Sequence, residues 1–257
     1  TRYIYNASKI RYEANLYWQK ENYLRQSENI NKSNKYTLYN SDFDKIDRGL
    51  IFHASQSVNN YNFITAGMEA RLGSVDAKDV YKTSSDIIYN KGAINTYALF
   101  AQDEITMLKS KLKLVLGLRY DIAYFNKGYF NIEEPSSVTE MYSKYSGNVP
   151  TANWNSLSPK VAIQYYVNKN TKIYSSFSKG FRPATLDDLC RNGNVNKGIK
   201  LANPYLEPET INNTELGIEY KYKDKLRINQ IVYFSTGSNF QYFAGTGDSV
   251  YTANVKL

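Results

Sequence analysis

Cysteine is almost absent. Cys190 is the only one in 257 residues, so there is no internal disulfide framework, and no thiolate cluster can hold a metal. Histidine is equally scarce, with His53 alone. A nucleophile–histidine site would have to draw on His53 and Cys190, which are distant in sequence. His53 therefore reads as an ordinary strand residue, and no catalytic site, metal site or cofactor is expected. The 6 prolines and 14 glycines are too few for a disordered or collagen-like chain. Long apolar runs are missing too. No stretch approaches the roughly 18 consecutive apolar residues of a spanning helix, which excludes a helical membrane protein. Runs of one charge sign are also lacking. The net charge is +8, but Lys and Arg alternate with Asp and Glu, so the charges read as solvated faces and nucleic acid is not expected as a partner. Asp187-Asp188 is the nearest approach to a hard-cation site and reads better as a solvated loop. Gly237, Gly245 and Gly247 lack the strand–loop–helix context of a phosphate cradle and read as loop.

What the chain has in quantity is tyrosine, 25 copies beside 11 Phe and 2 Trp, a composition that favours strands. The apolar residues recur with a period of two. Leu112, Leu114, Leu116, Leu118, Tyr120 and Ile122 alternate with Lys113, Val115, Gly117, Arg119, Asp121 and Ala123. Ile64 to Leu72 and Ile10 to Trp18 repeat the pattern, with Thr65, Gly67, Glu69 and Arg71, and Arg11, Glu13 and Asn15, on the other face. Leu157 to Tyr165 and Leu216 to Tyr222 do the same. Several segments reach roughly ten residues, which suits a tilted crossing of a bilayer better than a globular strand. A closed sheet is the one spanning structure other than a helix that satisfies its backbone without water.

The connections alternate between short and long. Short ones fall at Asn6-Ala7-Ser8, Asn59-Asn60, Leu108-Lys109-Ser110, Asn168-Lys169-Asn170 and Lys223-Asp224. Long ones are expected near 20–47, 73–92, 125–153, 183–212 and 236–248 and are assigned to the extracellular side. Aromatics at strand ends suggest two interfacial girdles. Tyr165, Tyr166, Tyr220 and Tyr222 lie beside short turns; Trp18, Tyr120, Tyr124, Phe125, Tyr233 and Phe234 lie towards long loops. Counting Arg2–Tyr5 and a last segment from Val250, about eleven strands are expected, all within one domain over 1–257. Thr1 follows no charged-and-apolar leader, so an exported protein of this kind is expected to be incomplete at its N-terminus. The predicted fold is an all-β, antiparallel transmembrane outer-membrane β-barrel. A soluble β-sandwich, the competing all-β fold, would fold without detergent.

The polar face carries the candidate functional residues. Arg11, Glu13, Glu69, Arg71, Arg119, Asp121, Glu215 and Glu219 are predicted to face the lumen, where they pair with one another, with packed polypeptide or with ligand. Gly67, Gly117 and Gly217 lie on the same face and offer close approach, or else a bend in the wall.

Ala98-Leu99-Phe100-Ala101-Gln102-Asp103-Glu104, followed by Leu112 to Asp121, resembles the barrel of TonB-dependent receptors. Leu157-Ser158-Pro159-Lys160, Ile173 to Ala184 and Asn203-Pro204-Tyr205-Leu206-Glu207-Pro208-Glu209 continue the resemblance in order, with Glu215-Leu216-Gly217 after them. The resemblance is good over 61–235 and thinner before. It implies part of a barrel of about 22 strands with its plug domain absent from this chain. It also implies a non-enzymatic receptor in the bacterial outer membrane, in contact with lipid. Uptake would be driven by the TonB complex through the missing plug segment. The implied ligand is a small-molecule chelate, siderophore or haem ahead of cobalamin. Arg119 and Arg182, with Trp154 and Tyr205, would suit an anionic, partly aromatic chelate. A passive porin or adhesin barrel is the alternative from another class.

Overall fold

A computed structural model describes residues 1–30, 34–195, 198–223, 225–246 and 249–254. Asp224 and Gly247, expected in turn and loop, lie outside them. The strands are β1 (Arg2–Ala7), β2 (Ile10–Ile30), β3 (Tyr36–Ser57), β4 (Asn62–Tyr81), β5 (Ile87–Met107), β6 (Leu112–Glu133), β7 (Gly147–Asn148), β8 (Ala152–Tyr166) and β9 (Thr171–Arg182). They continue with β10 (Gly193–Val195), β11 (Gly198–Leu201), β12 (Glu209–Tyr222), β13 (Leu226–Ser238), β14 (Gln241–Thr246) and β15 (Ser249–Asn254). Two short helices are α1 (Glu140–Ser143) and α2 (Leu186–Cys190). Among the described residues no helix is long and apolar enough to cross a membrane, a statement that does not touch strands.

One antiparallel wall runs β1-β2-β3-β4-β5-β6-β8-β9-β12-β13, with β7 added to the far end of β6. Among the described residues β1 and β13 are its edges and are not paired with each other. The segment from Val250, expected as the last wall strand, belongs elsewhere. β15 pairs antiparallel with β14 and parallel with β11, in a four-stranded sheet ordered β10-β11-β15-β14. Side-chain anchors hold it there: the Asn254 amide donates to the carbonyls of Glu207 and Asn239, at 2.8 and 2.7 Å.

Turn chemistry sets the register at the short connections. Asn59 Oδ1 accepts from the backbone N–H of Tyr61 and Asn62 at 2.7 and 2.9 Å, and Asn168 Oδ1 does the same for Asn170 and Thr171 at 2.8 and 2.9 Å. Leu108, Lys109 and Ser110 take left-handed φ values of 52°, 53° and 69° to close β5–β6.

Register fixes the two faces. Phe52, Met68, Leu99, Tyr120 and Leu157 lie opposite one another in turn, so the apolar rows share one outer face. Glu13, His53, Gly67, Phe100, Arg119 and Ser158 form one rung of the inner face. An outer-facing Ser175 is reconciled with apolar surroundings by donating its hydroxyl to the Glu215 carbonyl at 2.9 Å. Adjacent residues cannot share a face, so of the expected girdle aromatics Phe125, Tyr166 and Tyr233 turn inward, and Phe125 is wholly buried.

β2 to β6 each run 20 to 22 residues, well past the expected crossing length. Much of the expected loops at 20–47, 73–92 and 125–153 is therefore paired strand. The reason is a reversal of phase. Along β4, outer Ile64 to Leu72 give way to Ser74, Asp76 and Lys78, while inner Gly67, Glu69 and Arg71 give way to Val75, Ala77 and Tyr81. Beyond the hydrocarbon the outer face meets water and needs no apolar side chains. The inner face there becomes the core. Tyr23 stacks on Phe43 at 4.7 Å between ring centroids and Tyr39 on Tyr81 at 5.0 Å.

A bulge maintains that core on β6. Lys91 pairs with Tyr129 and Ala93 with Asn126, so two residues oppose Gly92, and Lys127 takes φ +53°. The extra residue shifts the alternation, so Phe125, Phe130 and Ile132 all point inward. Gly128 is required there: a β-carbon would stand 2.7 Å from both the Phe125 ring and Val149.

Candidate functional site

The inner face of the crossing segments carries charge, and its register brings opposite signs together. Glu13 receives Arg2 at 2.7 Å and Arg11 at 3.3 Å, with His53 Nε2 at 3.9 Å. Arg71 donates through two nitrogens to Asp47 at 2.5 and 3.0 Å. Arg119 joins Glu69 at 2.9 Å to Asp121 at 2.8 Å and lies 6.0 Å from the Phe100 ring centre. Glu219 draws Arg227 at 2.6 Å, Lys221 at 3.4 Å and Lys172 at 3.6 Å. The carboxylates of Glu13 and Glu219 are buried, so these pairs satisfy groups that could not stand alone.

Glycines on this face are covered by rings from neighbouring strands. A β-carbon on Gly49 would meet Tyr17 at 2.5 Å, one on Gly67 would meet Phe100 at 2.6 Å, and Tyr174 lies across Gly217. The expected close approach at Gly67 and Gly217 is thus filled by the wall itself. Gly117 differs, with nothing nearer than Lys160 Cβ at 3.6 Å.

At the long-hairpin end, the chain between β9 and β12 turns inward and docks on the wall. Leu189, Cys190, Ala184 and Leu206 pack with Phe125, Ala123 and Trp154. Asn192 donates its N–H to Asn90 Oδ1 at 2.8 Å, and Arg191 lies 4.9 Å from the Phe43 ring centre. Asp187 and Asp188 are not a solvated loop. Lys200 Nζ ion-pairs with Asp187 and stands 3.1 Å from Asp188, Arg191 reaches Asp187 at 3.1 Å, and the Thr252 hydroxyl donates to Asp188 at 2.7 Å. Burial pushes the Asp187 carboxyl up, but Lys200 and Arg191 outweigh it and hold the group below the usual range. The cation beside these acids is an ammonium supplied by the chain. Among the described residues no cluster of His, Cys, Asp and Glu could hold a metal.

A second anchor was not legible from the sequence. Asp86 is buried and accepts from the Ser136 N–H at 2.7 Å, the Ser136 hydroxyl at 2.5 Å, and the hydroxyls of Ser84 and Thr139. It ties the β4–β5 connection to the α1 segment. Burial raises its proton affinity, yet these hydrogen bonds prevail and keep the carboxyl below its ordinary range.

The predicted residues divide by place. Arg11, Glu13, Glu69, Arg71, Asp121 and Glu219 lie on the inner face in wall-to-wall ion pairs, and Glu215 shares that face without an ion pair among the described residues. Arg119 is central to one pair network. Arg182 bonds Glu209 across β9–β12 while its side chain stays 68% exposed. Tyr205 is 78% exposed on the insert. Trp154, expected as a ligand aromatic, keeps only 8% exposure and packs in the cluster under α2. The four do not converge on one spot. Arg119 faces Ser158, Trp154 lies two inward positions further along β8, and Arg182 ends β9. Arg2 and Asp47, missed in the sequence, are the partners of Glu13 and Arg71.

The comparisons with known proteins fit this architecture. Among curated proteins none matches the chain. The ferric yersiniabactin uptake receptor FyuA from Yersinia pestis matches with a TM-score of 0.66 and 11% identity, over 93% of this chain and 35% of its own. The copper transporter OprC matches with a TM-score of 0.74 and 16% identity, over 99% of this chain and 40% of its own. The ferric citrate transporter FecA, unliganded, gives a TM-score of 0.64 and 14% identity, over 93% and 34%. The chain thus spans 34–40% of the length of these structures, and such low identities speak to fold. A family model for the TonB dependent receptor-like β-barrel matches residues 1–256. Hairpins with an apolar outer belt, a charged inner face and long paired extensions are therefore part of a barrel wall, and the chain belongs to the TonB-dependent receptors of the bacterial outer membrane.

Proposed function

We propose that this wall serves a receptor that imports an anionic chelate of a scarce nutrient, iron as siderophore or haem foremost, with energy from the TonB complex. In this reading the short turns face the periplasm and the long hairpins the medium. The observation that carries it is the insert between β9 and β12. It is clamped to the inner wall by Asn90, Phe125 and Trp154, and it holds Tyr205 exposed at the long-hairpin end. A preformed, loop-built surface there suits ligand capture, since ordering the loops costs nothing further on binding. Arg182 keeps its side chain exposed beside its bond to Glu209, which leaves guanidinium donors free for an anionic group. Two of the three similar structures are named for ferric ligands and one for copper, which supports the class loosely.

The test is growth of a strain lacking the full-length receptor on single iron sources. Loss on one ferric siderophore or haem, with Arg182→Ala and Tyr205→Ala each lowering uptake about 5- to 30-fold by removing roughly 1–2 kcal/mol of binding, is the expected result. Unchanged growth on all of them, with loss of cobalamin uptake, would move the assignment to another nutrient of the same family. Energy-independent leakage of small sugars through the purified protein in vesicles would replace it with a passive porin.

A further inference from the structure

The outer face is apolar within the belt and polar beyond it, and on β2, β3 and β4 one depression joins the two. Successive outer rungs there read Leu16–Leu50–Ala70, then Trp18–Arg48–Leu72, then Lys20–Ile46–Ser74, where the apolar row of β4 ends. Ala70 is small between Leu50 and Tyr97 on its rung. The depression beside it, about 720 Å³, is lined by Leu16, Leu50, Ala70 and Leu72, with Trp18 and Arg48 on the side of the long hairpins. Arg48 and Lys20 are exposed and take no part in an ion pair among the described residues. On β2 to β4, the rung of Arg48 and the rungs on either side of it hold no outer carboxylate. The nearest is Asp44, one rung beyond Lys20 and diagonal to it, facing an Asp76 that Lys91 holds at 2.7 Å. Asp47, next to Arg48 in the chain, points inward to Arg71.

The geometry points to a seat for a single lipid of the leaflet at the long-hairpin end: an acyl lipid with an anionic phosphate headgroup, its chain in the depression and its phosphate on the Arg48 guanidinium, with Lys20 beside it. The inference rests on the outer face being the lipid face of the barrel, not on the nature of the imported ligand. Charge complementarity selects the occupant. A guanidinium matches phosphate oxygens through two parallel N–H bonds, and no carboxylate of the wall competes for Arg48. Trp18, opposite Arg48, is the kind of side chain that suits the boundary between hydrocarbon and headgroups. A free anion would gain nothing from the apolar floor, and an uncharged lipid would leave Arg48 uncompensated. Only a molecule that carries its phosphate next to the start of its chain uses both halves of the site.

Photolabelling of the full-length receptor in phosphatidylcholine vesicles tests the seat. The vesicles carry a small fraction of phosphatidic acid with a diazirine on its acyl chain, or of diacylglycerol with the same chain, and adducts are located by peptide mass spectrometry. Labelling of the β2 and β4 peptides that hold Leu16 and Leu72 is measured against the β8 peptide that holds Leu157 and Ile163 in the same belt, which also reports that each variant is folded in the bilayer. The expected ratio is at least about fivefold higher with phosphatidic acid than with diacylglycerol. The Lys20→Gln/Arg48→Gln double variant should bring the two lipids level. Lys91→Gln, whose ammonium already serves Asp76, should leave the preference intact, as should excess inorganic phosphate. Equal ratios for the two lipids in the unmodified protein would overturn the proposal. So would a preference that survives the double variant, is lost equally in Lys91→Gln, or is abolished by inorganic phosphate. Transport enters none of these readouts, so failure of the chelate assignment would leave them unchanged.

Discussion

Gly92 and Cys190 face each other so closely that a β-carbon at position 92 would stand 2.6 Å from the cysteine sulfur. The α2 segment is thereby seated on β5, and the thiol beneath it is inert. Burial first, and the Asp187 charge second, push its pKa up to about 12.

Gly92→Val should lift α2 from the wall. Maleimide labelling of Cys190 at neutral pH, followed by mass spectrometry, is expected to be negligible in the unmodified protein and to accelerate by at least about tenfold in the variant. Equal rates would mean that the insert is not seated there.

Lys200 is buried while its partner Asp187 is half exposed, with side-chain exposures of 6% and 53%. Lys200→Met removes the ammonium from two carboxylates. Because water screens Asp187, the local cost is about 1–3 kcal/mol, below that of a fully buried pair. Hydrogen exchange in β14 and β15 should speed up accordingly, with the wall strands β3 to β6 unaffected.

Asp86 titrates below its ordinary range in the folded chain, so the sign of its linkage is that of a bound carboxylate. Its contribution is complete above the unfolded pKa of about 3.9 and is lost as pH falls through the lower folded value. Exchange protection of residues 136–146 should therefore hold at neutral pH and fade below about pH 4. Asp86→Ala should abolish it at every pH, at a local cost of about 1–3 kcal/mol for the hydrogen bonds lost. Protection that survives in the variant would remove Asp86 as the anchor.

The two faces can be told apart by a matched pair on neighbouring strands. Leu116→Arg places a guanidinium on the outer belt and should cost about 2–4 kcal/mol of stability in lipid. Gln102→Arg, on the inner face opposite Gly117 and two residues from Glu104, should cost less than about 1 kcal/mol. Folding into vesicles followed by denaturant titration measures both. Equal penalties would contradict the assignment of faces.

Much of this wall was legible because hydrocarbon imposes a rule on every second residue. Leu112 to Ile122 satisfy it for a full crossing, and the register found is the one that the alternation demanded. The rule stops at the edge of the hydrocarbon. At Asp76, Lys78 and Ala77 the alternation inverts, and a search for apolar outer rows reads that stretch as loop although pairing continues to Tyr81. The ion pairs were legible only by half. A face can be assigned from one strand, but Arg71 meeting Asp47, or Arg2 meeting Glu13, depends on register between strands. The insert was least visible, because Lys200, Asp188 and Thr252 meet through chain reversals that no local period encodes.

The bulge opposite Gly92 makes this stretch sensitive to length in an unusual way. Delete one residue at Lys127 or Gly128 and the ladder becomes regular: Asn126 still meets Ala93 and Tyr129 still meets Lys91, so Phe130 and Ile132 stay inward beside Ile88 and Tyr142. Natural variants of this hairpin that lose a single residue should accordingly lose it at the bulge, because the same loss between Tyr129 and Glu133 would turn every residue beyond it to the opposite face.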